Sequence, residues 1–135
     1  MELHIRVYSQ VRDLQEDFNA RFPYLRLEFF RYPHADKKLS SRGEEIDSST
    51  PLSQLSKSVP AVIEVNEKMT VSQTEKEFQE RLGLFVQVLR KSGRIWIETS
   101  LTDHWTLEQQ NSEGESMSSM HERRREPGAG ESNGD

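Results

Sequence analysis

Hydrophobic and polar positions alternate from the start of the chain. Leu3, Ile5 and Val7 interleave with His4, Arg6 and Tyr8, the two-residue period of a strand with one buried face. The spacing then changes, and Val11, Leu14, Phe18 and Phe22 recur at steps of three and four. That places them on one stripe of a helix opened at Ser9 or Gln10, which Pro23 ends by disfavouring helical geometry just before it. Alternation returns over residues 24–32, with Leu25, Leu27 and Phe29 on one face and Tyr24, Arg26, Glu28, Phe30 and Tyr32 on the other.

About sixty residues further on the pattern repeats. Ala61, Ile63 and Val65 define a third strand, and Thr70 to Gln73 fits a capping box in which each side chain satisfies the other's free amide. Val71, Thr74, Phe78 and Leu82 restate the helical stripe, and Gly83 stands where a helix ends. Residues 84–90 and 94–100 are two further strand runs joined through Lys91, Ser92 and Gly93 as a hairpin. Between the copies, residues 33–49 hold almost no apolar side chain and predict a long surface loop. Thr50 and Pro51 then suit the start of a short helix over residues 51–57. Thr106 to Gln109 fits a second capping box and predicts a short terminal helix carrying Leu107, with Trp105 packing back onto the domain.

Two β-α-β units plus one more strand predict an α+β domain over residues 1–112. With right-handed crossovers both helices fall on one face of a single sheet, a ferredoxin-like β-α-β-β-α-β sandwich with an added fifth strand and a short C-terminal helix. Ser, Glu, Gly and Arg dominate residues 113–135, with no apolar period to offset the entropy of ordering. That segment is expected to be a disordered polar tail, and removing it is expected to leave thermal stability unchanged.

Composition narrows the chemistry. The chain is 33% hydrophobic and 30% charged, with a net charge of −5. Residues 113–135 hold six acids against three arginines, leaving only −2 for residues 1–112. No bulk attraction to nucleic acid or anionic membrane follows from so small a charge. No apolar run approaches a transmembrane length, and the first residues enter a strand pattern rather than an apolar signal core. With no cysteine, disulfides, thiolate catalysis and thiolate metal sites are excluded, and a soluble cytoplasmic protein is expected.

Catalytic and metal motifs are sparse. His4, His34, His104 and His121 show no ligand spacing such as His-x-x-x-His, so neither metal nor cofactor is expected. The alternative enzymatic reading rests on Asp103 and His104, a carboxylate and an imidazole beside Trp105, as an acid/base pair. Against it stands the simpler reading in which Asp103 caps a chain reversal. If the helices cover the face bearing Leu3, Leu25 and Ile63, the opposite face shows Arg6, Tyr8, Arg26, Phe30, Phe85, Arg94 and Trp96. Such a mixture could stack single-stranded nucleic acid. The third strand carries no aromatic and no RNP1 pattern, however, and Glu28, Glu64 and Glu98 share the face. Aromatics with arginine also suit a protein interface. The expectation is a small non-catalytic binding domain that uses its open sheet face for a protein partner or a homodimer, with nucleic acid disfavoured.

Overall fold

The computed structural model describes residues 1–32 and 44–125. Most of the expected 33–49 loop and the last ten residues of the expected tail lie outside the described residues. The elements run β1 (Glu2–Ile5), α1 (Val11–Arg21), β2 (Leu25–Phe30), a 3-10 turn (Leu52–Gln54), β3 (Ala61–Glu64), α2 (Val71–Leu82), β4 (Phe85–Ser92), β5 (Ile95–Glu98), a second 3-10 turn (Ser100–Thr102) and α3 (Leu107–Arg125). This is an α+β fold, with two antiparallel sheets in place of the single ferredoxin-like sheet. One holds β1 and β3, and the other has the order β2-β4-β5.

The strand order differs because β2 pairs with β4 rather than β3; β1 is short and pairs antiparallel with β3, with Leu3 opposite Ile63. Its chain turns away at once, since the Arg6 carbonyl accepts the Ser9 amide at 3.0 Å and the Ser9 hydroxyl accepts the Arg6 amide at 2.9 Å. Val7, expected inward, is therefore 60% exposed. In the larger sheet Leu27 faces Val88 and Lys91 faces Trp96. The helix predicted over residues 51–57 is only the 3-10 turn Leu52–Gln54, anchored by buried Leu52.

The repeat seen in the sequence is present in three dimensions, and its two copies interlock. The opening strands β1 and β3 pair with each other, as do the closing strands β2 and β4, both antiparallel. Antiparallel pairing of equivalent strands is what a two-fold relation between the units produces. Hydrogen bonds at the helix starts repeat as well. Val11 and Arg12 donate their amides to the carbonyls of Thr50 and Ser48 at 3.0 and 2.8 Å. Val71 and Ser72 donate theirs to Trp105 and Asp103 at 3.0 and 2.9 Å. These amides open helices and have no partner within them, so each unit closes its helix with a segment further along its own chain. One core results, with Phe18, Phe29, Phe78, Leu27 and Val88 all buried. Phe29 of the first unit meets Phe78 of the second edge to face, centroids 5.8 Å apart.

Helix α3 runs on from Leu107 to Arg125, through the first part of the expected tail. Its buried side is Leu107, Gln110, Gly114 and Ser118, repeating at steps of three and four, and only the first of these is a large apolar residue. Contact comes through small size rather than hydrophobicity. A Cβ placed on Gly114 would lie 2.8 Å from Tyr24 Cβ and 3.2 Å from the Lys91 carbonyl oxygen. The helix backbone therefore rests directly on the ends of β2 and β4, and Gly93, at φ +67°, turns the β4–β5 hairpin beneath the His121 ring.

Candidate binding face

The β2-β4-β5 sheet turns Leu25, Leu27, Phe29, Val86 and Val88 to the core. Alternation sends Arg26, Glu28 and Phe30 of β2 to the opposite face, with Phe85, Gln87, Leu89 and Lys91 of β4 and Trp96 and Glu98 of β5. The register puts Arg26 beside Leu89, and Leu89 beside Glu98. Trp96 is half-buried and is flanked by two cations. The Arg26 guanidinium carbon lies 5.9 Å from its ring centroid and the Lys91 ammonium 5.6 Å. Arg26 also reaches the Glu28 carboxylate at 3.7 Å. On this same face Phe30, Gln87 and Leu89 are buried, so the part open to solvent is the group around Trp96, Arg26 and Lys91.

Of the seven residues expected on one face, Arg26, Phe30, Phe85 and Trp96 share it. Arg6 and Tyr8 do not, because β1 belongs to the other sheet and both residues lie on the turn beyond its end. Tyr8 is 75% exposed there. Arg94 sits in the hairpin turn after Gly93, exposed. Lys91 was read as turn in the sequence, yet β4 runs on to Ser92, and the alternation Phe85, Gln87, Leu89, Lys91 carries the signal that identifies it.

Asp103 and His104 occupy a main-chain clamp. The Asp103 carbonyl accepts the Ser72 amide, the Trp105 carbonyl accepts that of Val71, and the Trp105 amide donates to Thr102 at 2.9 Å. His104 is exposed. The Trp105 ring is half-buried, with the Arg90 guanidinium carbon 5.7 Å from its centroid. Arg90 in turn donates to the Gln110 side chain at 2.8 Å, and Gln110 donates to Thr102 at its carbonyl and hydroxyl, at 2.8 and 2.9 Å. This network ties α3 to the clamp. Sequence reasoning missed it because a buried glutamine carries no periodic signature.

Among the described residues no three His, Cys, Asp or Glu side chains gather as a metal ion would need, and no helix is long and apolar enough to cross a membrane. The chain matches no protein-family model, no curated protein and no solved structure.

Proposed function

We propose that the chain is a non-catalytic binding domain that associates through the sheet face around Trp96, with a second copy of itself as partner. The observation that carries this reading is the half-buried indole held between Arg26 and Lys91. Tryptophan and arginine are among the side chains that most often anchor protein interfaces, tryptophan through its large rigid area and arginine through a planar head with several donors. The charges on the face are self-complementary. Arg26 and Lys91 stand beside Glu28 and Glu98, so a two-fold related copy can set cations against carboxylates, as a closed dimer interface requires. The same carboxylates oppose a nucleic-acid phosphate backbone. The Asp103 and Trp105 carbonyls accept amides that open α2, which gives this turn a structural role.

Light scattering across a concentration series tests the proposal. The wild-type chain is expected to approach twice its 15.7 kDa mass, and an Arg26→Glu, Trp96→Ala double variant is expected to stay at monomer mass with an unchanged far-ultraviolet spectrum. A wild-type chain that remains monomeric up to its solubility limit overturns the self-association.

A further inference from the structure

The far end of α3 and the β4–β5 turn enclose a hollow that the binding face does not use. It has a volume of about 160 Å³ and is lined by Ser92, Gly93, Met117, Met120 and His121. On a helix, residues three and four apart stand one above the other, about 5 to 6 Å between Cβ atoms. Met117, Met120 and His121 therefore converge from one side of α3. The imidazole is pressed onto the turn, since a Cβ on Gly93 would lie 3.0 Å from both its Cγ and its Nδ1. Its Nε2 is shut off from solvent and has no hydrogen-bond partner. A buried ring nitrogen without a partner is costly and calls for one.

Met117 and Met120 remain 39% exposed and line the same hollow. Two thioether sulfurs and one imidazole nitrogen form a soft donor set. Thioether sulfur favours Cu(I) over hard or borderline cations, while carboxylate and carbonyl oxygens favour magnesium, calcium and manganese. We propose that Met117, Met120 and His121 bind a soft monovalent cation, Cu(I), at the β4–β5 turn. The proposal is independent of the Trp96 face. The sequence concealed it because the histidine fell in a segment expected to be disordered, and methionine was not counted as a ligand.

The full chain contains four methionines, Met1, Met69, Met117 and Met120, and carbon-13 labelling of their methyl groups supplies both reporters and internal controls. Ag(I), a redox-inert stand-in for Cu(I), is expected to shift the methyl signals of Met117 and Met120 and the ring signals of His121, saturating at about one ion per chain. Met1 and Met69 are expected not to move. In competition with a chromophoric Cu(I) chelator under reducing conditions, a Met117→Leu, Met120→Leu variant keeps side-chain size and apolarity and is expected to bind at least about tenfold more weakly, the scale of lost metal-site contacts. His121→Gln is expected to weaken binding as well, with the far-ultraviolet spectrum retained. Equal shifts at all four methionines overturn the proposal, and so does a double-leucine variant that competes like the wild type or Zn(II) bound as tightly as Cu(I).

Discussion

Gly114→Ala sets two effects of opposite sign against each other. Alanine is favoured over glycine inside a helix by about 1 kcal/mol, so on an exposed stretch of α3 the change stabilises. Here the new methyl group would stand 2.8 Å from Tyr24 Cβ and 3.2 Å from both Arg90 Cγ and the Lys91 carbonyl oxygen, all inside the carbon contact optimum of roughly 3.5 to 4.0 Å. Tyr24 cannot give way freely. Its amide donates to the Asn111 side chain at 2.8 Å and its carbonyl accepts the Lys91 amide at 2.9 Å. Overpacking a closed contact costs about 1 to 3 kcal/mol, which offsets or exceeds the propensity gain of about 1 kcal/mol, and the net expectation is a loss of up to about 2 kcal/mol. Urea unfolding followed by tryptophan emission measures it, with Ser116→Ala on the exposed side of α3 as the control that registers propensity alone. A Gly114→Ala variant stabilised by about 1 kcal/mol would refute the docking of α3 on β2 and β4.

Ending the chain after Ser112 removes the Gly114 and Ser118 contacts, so the melting temperature should fall by several degrees, roughly 3 to 6 °C per kcal/mol lost for a domain of this size, where the composition of the segment alone implies no change. Gln110→Leu leaves Arg90 and Thr102 without their partner in a buried site and should cost about 1 to 3 kcal/mol in urea unfolding; a neutral result would mean that water replaces the side chain. The Asp47 carboxyl is held below its ordinary 3.8 by the Ser49 hydroxyl and then by the Ser49 amide. Its stabilising contribution is therefore present above about pH 3.8 and is lost as pH falls through the depressed folded value. Ser49→Ala should move the Asp47 titration upward in a carbon-detected NMR series, and an unmoved titration would reject the hydroxyl as the main cause.

What could be read in the sequence was local. The stripes of α1 and α2 were legible because side chains repeat at the helical period, and the Thr70–Gln73 and Thr106–Gln109 boxes because both partners sit three residues apart; each box forms. Strand partners were not legible, because the alternation within β1 and β2 is the same whichever strand each of them pairs with. Arg6 and Tyr8 were placed on the wrong surface for that reason, whereas Arg26, Phe30, Phe85 and Trp96 needed only the alternation within their own strands. The extent of α3 escaped because hydrophobic periodicity detects helices that bury large apolar groups, and this one buries a glycine, a serine and a glutamine.

The two-fold relation also separates what folds the chain from what it offers to ligands. Everything the two units share lies in the paired strands, the helix stripes and the main-chain clamps. The first unit leaves its clamp through the 3-10 turn Leu52–Gln54 and goes on to β3, whereas the second leaves its clamp into the nineteen-residue α3. The Trp96 face sets β5 beside β2 and β4, and the His121 hollow is built on α3 and the β4–β5 turn, so each depends on an element that the first unit does not have. Damage to shared parts should therefore appear as lost stability, and damage to the unshared parts as lost binding. Phe78→Ala empties a fully buried site at the junction of the units and should cost about 3 to 5 kcal/mol, enough to remove both proposed interactions by unfolding a marginally stable domain. Trp96→Ala and His121→Gln should each weaken one of the proposed interactions, leave the other intact, and shift the unfolding midpoint far less. If either lowers stability as much as Phe78→Ala, the residue belongs to the core of the fold and the division between the two halves fails.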